Sequence, residues 1–431
     1  MRAGMRKAMA RSANGFDHRG RVKILLCHNF YQQSGGEDVA VLALKELLEQ
    51  KGHDVIFYSE NSREIVKYNV LQKIGFLPRA VFSARTYRRM QRIAKQERPD
   101  VAHVHNVFPL ISPALYVALN RAGVPIVQTI HNFRLMCING LFLRNGHLCE
   151  RCKSGNFVSG VRFKCYRDSY ALSGLYAASI GSHRRMGTFK RIQRFIALTD
   201  FAASKMVESG IATFSNISVL ENFLPSPLPE YSETDQREAY IVFMGRLSHE
   251  KGIFTLLRAM QGLSNLGLKI VGTGPLDQLV KRQIRDRRLD NVELLGFIQG
   301  EEKYRVLRRA LCCVVPSECY ENLPYVVLES AAVATPVIAS RLGGLAAIIS
   351  DNQNGLLFTP GDAADLRKQL EFLAATPQVA RRIGARAREQ FRARHTADAH
   401  YQRLMQIYSE VVSGSHQPPM SPIRNPVLLP Y

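Results

Sequence analysis

The chain reads as an α/β protein built from two successive parallel-sheet units. Three observations carry this. Apolar runs of strand length alternate with amphipathic runs of helix length from residue 21 to residue 411. The alternation breaks once, in an aperiodic stretch rich in Pro, Ser and acid. The 431 residues are enough for two cores of ordinary size. Strands joined through crossover helices pair in parallel, which is the α/β arrangement.

In order, VKILLCHNF is a strand, YQQSGGED a turn, VAVLALKELLEQKG a helix and HDVIFYS a strand, together one βαβ unit over residues 21–58. PDVAHVHN, ISPALYVALNRAG and VPIVQTIHNF repeat the pattern. An irregular Cys-bearing insertion, 134–170, follows, before RFIALTDFAASKMVESG and ISVLENF complete a first unit over 21–221. Residues 222–238 form the linker. The second unit, 239–411, opens with YIVFMGR (strand), KGIFTLLRAM (helix), LGLKIVGTGP (strand and turn), LDQLVKRQIRDR (helix) and VELLGFI (strand). It continues through EKYRVLRRA, LCCVVPS, YVVLESAAVA, TPVIAS and GLLFTP. A basic extension, 1–20, and a proline-rich tail, 412–431, flank the two units.

Composition excludes a disulfide miniprotein and a disordered chain: 46% of residues are hydrophobic and 22% charged. The outlier is a net charge of +22, concentrated in residues 1–200, which carry 32 basic and 13 acidic residues. That imbalance suits an anionic partner such as nucleic acid, an acidic membrane or a phosphorylated substrate. Two windows concentrate it, Arg79 to Arg98 and Arg184 to Arg194. In the second, Ile180, Met186, Phe189, Ile192 and Phe195 recur at helical spacing, as in a helix resting on anionic lipid, or equally one with a core-facing stripe. The longest charge-free run, Val101 to Asn120, holds two His and two Pro, so it reads as buried strand and loop instead of a membrane span. No apolar stretch of signal-peptide length follows the basic start, and the eight cysteines are unevenly placed; both predict a cytoplasmic protein.

Two clusters carry chemistry. In PSECYENLPYVVLESAAVA the spacing predicts a helix beginning at Leu323 or Pro324, capped by Asn322, with Glu321 at its mouth and Glu329 two turns inside, about 12 Å further along the axis. Two carboxylates so spaced suit a nucleotide sugar, one accepting from the ribose diol and the other from the sugar hydroxyls. Taken alone, two acids on a helix are usually solvated. In FMGRLSHEKGIFTLL, Arg246 and Lys251 leave a strand and enter a helix N-terminus, where free backbone N–H groups favour an anion, so they are placed to hold a diphosphate. A glycine turn, VGTGP, with Gly272 and Gly274, suits close backbone approach.

GRLSHEKG, VGTGP, LLGFIQG, the Glu321/Glu329 pair, TPVIAS, LGG and NGLLFTPGD resemble, in order and spacing, family 4 of the glycosyltransferases. These motifs span residues 241–365; the first unit is similar more loosely. The resemblance implies a GT-B architecture, with two Rossmann-like, doubly wound domains facing across a cleft and retaining transfer from a nucleotide-diphosphate sugar. It implies that Arg246 and Lys251 hold the diphosphate, Glu329 the ribose and Glu321, with Asn322 and Leu323 beside it, the sugar. It also implies that backbone near Ile298 frames the base, that Gly35 and Gly36 approach the phosphates and sugar, and that His131 faces the sugar across the cleft; left to itself, His131 would more often be structural. The sequence departs from the family at Ala334, where Gly usually precedes TPVI, and at Ala347, near which an acid is common.

No Asp-x-Asp occurs, so no metal or other cofactor is expected in catalysis. The acceptor expected is a glycan or polyprenyl-linked glycan, at an anionic membrane surface, in cell-surface polysaccharide synthesis. Cys137, Cys149, Cys152 and Cys165, spaced x11, x2 and x12, suit a structural zinc site, a redox pair or four unrelated thiols. Of the rivals, an epimerase would share the architecture but use no acceptor. A nucleic-acid-binding protein would need a recognition motif the chain lacks, and a dehydrogenase would need G-x-G-x-x-G, absent after the first strand.

Overall fold

A computed structural model describes residues 20–33, 35–232 and 236–414. The basic extension up to residue 19 and the proline-rich tail from residue 415 lie outside the described residues. Two six-stranded, all-parallel sheets form the frame. The first runs β2–β1–β3–β4–β7–β8, with β1 Lys23–Phe30, β2 Asp54–Asn61, β3 Val101–Val104, β4 Ile126–Ile130, β7 Arg194–Ala197 and β8 Ile217–Val219. The small antiparallel pair β5 Leu143–Arg144 and β6 His147–Leu148 lies in the insertion. The second sheet runs β11–β10–β9–β12–β13–β14, with β9 Tyr240–Met244, β10 Gly267–Val271, β11 Val292–Gly296, β12 Cys312–Val315, β13 Val337–Ser340 and β14 Leu356–Phe358.

Strands buried on both faces explain why the pattern is continuous apolar runs: Ile24, Leu25, Leu26 and Cys27 are fully buried, as are Ile241 and Val242. The charge-free run is likewise buried, as strand β3, a loop and helix Ala114–Arg121. In each sheet the strand order reverses at the first strand, which has a neighbour on either side: β1 between β2 and β3, β9 between β10 and β12. The crevice beyond the strands' carboxyl ends at such a reversal is where open α/β sheets take ligands.

The last helix was expected in the second unit, but Ala397–Ser413 lies against the first sheet. Its Leu404, Ile407 and Tyr408 share a core with Ile24, Leu26 and Val127. A smaller shared cluster of Leu198, Leu224, Leu323 and Leu328 joins the units near the linker.

Candidate active site

In the second unit, Arg246 and Lys251 follow β9 and Glu321 follows β12, so all three reach the crevice at the sheet reversal. Lys251 Nζ lies 2.5 Å from Glu321 Oε1, which also accepts from Ser317 Oγ at 2.8 Å. Burial opposes the Lys251 charge, but the Glu321 carboxylate overrides it and holds the ammonium well above its usual range. Arg246, just after β9 on the same connection as Lys251, is exposed. Gly272 takes φ +132, and a Cβ there would sit 2.0 Å from the Gly245 carbonyl, so this glycine nests the β10 turn on the β9 turn that carries Arg246.

The helix after β12 begins later than its spacing suggests, at Tyr325, with Pro324 in the cap position at φ −64, ψ 135. The ring disfavours helical geometry in the residue before it, so Leu323 stays outside and Asn322 is not the cap. Glu321 therefore lies on a loop, and the axial rise of a helix does not measure its distance from Glu329. Asn322 instead reaches across the cleft, its Nδ2 3.4 Å from the Ile130 carbonyl, while its buried Oδ1 has no partner among the described residues. Leu323 is buried in the shared cluster, which leaves only its backbone for a ligand. Glu329 is inside the helix, paired at 2.6 Å with Lys303, a residue the motifs do not point to. Ile298, half-buried after β11, packs on the core beside the exposed ring of Phe297.

In the first unit, Gly35 and Gly36 open helix Gly36–Gln50. Gly35 has open space where a Cβ would be, and a Cβ at Gly36 would lie 3.3 Å from the Tyr325 ring of the second unit. His131, after β4, shares a hydrogen bond of 2.8 Å between its Nε2 and His105 Nδ1, and the rings stack. Burial lowers its affinity for a proton, with Glu37 pulling the other way, so the ring favours its neutral form. It lines a small recess with Glu37, His105, Asn132 and Arg134. Glu37 accepts from the Tyr31 hydroxyl at 2.7 Å and from Asn132 Nδ2 at 2.9 Å, while buried Asp38 holds His28 at 2.8 Å. Sequence reasoning missed this acidic and imidazole lining. Its signal is the Glu-Asp pair directly after Gly35-Gly36 and the alternation His103, His105.

The window from residue 180 to 195 is not one helix but a helix end, a turn and strand β7. Ile180, Phe189, Ile192 and Phe195 are core, and Met186 alone of the five is exposed. Arg194 is buried against Glu410 at 3.0 Å and Arg184 donates to the carbonyls of Leu135, Lys153 and Ser209, whereas Arg185, Lys190 and Arg191 stay exposed, so the apolar stripe faces the core and the remaining basic side chains face solvent. On helix Ala84–Glu97, by contrast, Arg85, Arg88, Arg89, Arg92 and Lys95 are exposed and Met90 and Ile93 buried. The four insertion thiols are free and line one recess, yet no group of three or more His, Cys, Asp or Glu among the described residues is arranged to hold a metal. Among the described residues no helix is long and apolar enough to cross a membrane.

Comparison with known proteins matches the two units separately. Residues 34–225 match the model "Glycosyltransferase Family 4" and residues 228–390 the model "Glycosyl transferases group 1". The chain is 26% identical over 338 residues to a glycogen synthase of Mycobacterium tuberculosis, covering 76% of this chain and 72% of that one. It is 30% identical over 177 residues to the O-antigen chain mannosyltransferase C of Escherichia coli, 41% of this chain and 47% of that one. Among solved structures, HepE of Anabaena in complex with UDP and glucose superimposes with a TM-score of 0.63 at 16% identity, covering 90% of this chain and all of that one. Sucrose-phosphate synthase of Thermosynechococcus elongatus does so with a TM-score of 0.65 at 19% identity, covering 92% of this chain and all of that one. These structures share the fold: two Rossmann-like α/β domains of the GT-B type.

Proposed function

Because the chain belongs to the group 1, family 4 glycosyltransferases, we propose that it moves a hexose-type sugar, with retention, from a nucleoside-diphosphate sugar to a glycan or polyprenyl-linked acceptor in polysaccharide synthesis. The observation that carries this reading is the Lys251–Glu321 pair at the sheet reversal, with Arg246 exposed on the same strand-to-helix connection as Lys251. As the bond from the sugar to the diphosphate breaks, negative charge grows on the leaving group. Cations already in place stabilise that charge without reorganising. The pair also keeps the Glu321 carboxylate oriented until the donor arrives; Lys251 then turns to the diphosphate, and Glu321 accepts from the sugar hydroxyls. Lys303 does the same for Glu329 at the ribose. Neutral His131 offers the sugar a hydrogen bond without adding charge on the acceptor side.

With Arg246 and Lys251 neutralising the diphosphate, transfer proceeds without a divalent ion; full activity in EDTA is expected, and activity lost in EDTA and restored by Mg²⁺ would refute that part. The enzyme works in the cytoplasm at the inner face of the membrane, where the basic helix Ala84–Glu97 meets anionic lipid. HepE was solved with UDP, which makes UDP-sugars the first donors to try. The test is a thermal-shift screen of nucleoside diphosphates and their sugars, followed by transfer assays and determination of the product anomer. A ligand at 100 times its Kd should stabilise the protein by about 2.7 kcal/mol. No shift with any nucleotide sugar, or an inverted product, overturns the reading.

A further inference from the structure

The insertion that carries the cysteines touches the second unit at Tyr320, beside the donor site. Tyr320, directly before Glu321, is only 4% exposed, and its ring is counted in the core of the first unit. It lies 4.8 Å from Phe201, 5.9 Å from Phe142 and 6.3 Å from Phe133, centroid to centroid. Its hydroxyl donates to Glu150 Oε1 at 3.0 Å. Glu150 stands in the turn between Cys149 and Cys152, whose thiols line the recess they share with Cys137 and Cys165. Lys205 approaches the same carboxylate at 2.8 Å and Lys153 at 2.7 Å. Burial works against the Glu150 charge, but the two ammonium groups hold its carboxyl below the usual range.

The loop is seated on its other side too. The Gly344 amide donates to the Glu321 carbonyl at 2.8 Å, and Asn322 reaches the Ile130 carbonyl. The first unit thus holds the segment that presents Glu321 on both sides, at Tyr320 and at Asn322. We propose that Glu150 of the cysteine insertion, fixed by Lys153 and by Lys205 of helix Asp200–Glu208, is a positioning residue that acts through Tyr320 to set the Glu321 carboxylate against the donor sugar. This rests on the assignment of Glu321 to the sugar. Arg246 takes no part in the tether, and in the donor complex Lys251 has turned from Glu321 to the diphosphate, so loosening the tether should disturb the sugar more than the nucleotide.

The test compares Tyr320→Phe, which keeps the ring in its aromatic seat, with Glu150→Leu, which leaves no acceptor for the hydroxyl, and the double variant. Each single variant should lower kcat about tenfold, the weight of one hydrogen bond to a charged group, with affinity for the nucleoside diphosphate alone unchanged. The double variant should be no worse than the poorer single, because both remove one bond. Amide exchange across residues 317–323 should quicken in Tyr320→Phe without a matching rise in the first sheet. A kcat within twofold of the parent in Tyr320→Phe, or additive losses in the double, overturns the proposal. Glu321→Ala separates the two readings: if it leaves activity intact, the assignment of Glu321 has failed, whereas loss there with an unaffected Tyr320→Phe means that the tether alone has.

Discussion

Two lysine–carboxylate pairs, Lys251 with Glu321 and Lys303 with Glu329, hold the two acids of the proposed donor site in place. Lys251→Ala removes a cation from the growing charge and leaves Glu321 part-buried with Ser317. Loss of one preorganised donor of this kind lowers kcat by about 10²–10³-fold, and steady-state kinetics that keep a third of parental kcat would rule the role out. Lys303→Met tests a different weight. It leaves the diphosphate grip intact but frees the Glu329 side chain, so the donor KM should rise about tenfold, near the value of one charge-assisted hydrogen bond, while kcat holds. An unchanged KM would mean that Lys303 is a bystander. Of these four residues, Lys251, Glu321 and Glu329 were legible because strand-to-helix turns and spacing single them out. Lys303 was not. It sits on another helix and meets its partner only through the fold.

Among the elements, β3, β4 and the returning helix Ala397–Ser413 bring imidazoles into the first core. His103 lies between the Tyr408 hydroxyl at 2.6 Å and Thr129 Oγ1 at 2.7 Å, and burial lowers its pKa to about 3. His400, bonded to the Glu221 carbonyl at 3.0 Å, is lowered by burial to about 4. Each is a base whose folded form resists protonation. The unfolded chain therefore binds more protons below pH 6.5, and stability falls as pH drops from there toward 4, where the folded His400 begins to protonate, and then 3. At pH 5 each contributes about 2 kcal/mol of destabilisation relative to pH 7. The melting temperature should drop steeply between pH 6.5 and 4, and His103→Gln, measured against its own value at pH 7, should drop less; parallel curves would contradict the linkage. The strands themselves were readable, since doubly buried parallel strands leave uninterrupted apolar runs such as KILLC and YIVFM. The final helix shows why some of the rest was not. An amphipathic stripe announces that a face is buried but not against which sheet, and Leu404 and Tyr408 cover the first, not the second. The window around Arg184 to Arg194 fails differently: helical spacing runs on across Gly187, at φ +68, although the backbone there leaves the helix.

For the whole molecule, the imbalance of charge between the halves becomes a surface once the fold separates exposed from buried cations. Arg194 and Arg184 are consumed internally, whereas Arg85, Arg88, Arg89 and Arg92 point outward from helix Ala84–Glu97, next to the exposed Phe82. Basic side chains near an anionic bilayer contribute about 1 kcal/mol each, so removing these four should weaken partitioning by roughly three powers of ten. The parent should float with vesicles containing phosphatidylglycerol at low salt, stay behind with neutral phosphatidylcholine, and release in 0.5 M NaCl as screening shortens the reach of the charges. The quadruple Arg→Ala variant should not float, while its transfer to a soluble acceptor analogue stays at the parental rate, because the helix lies outside the donor machinery. Were the parent to remain in solution with anionic vesicles, or the variant to float equally well, the positive half of the chain would answer to some other anion and the acceptor would have to reach the cleft without the membrane's help.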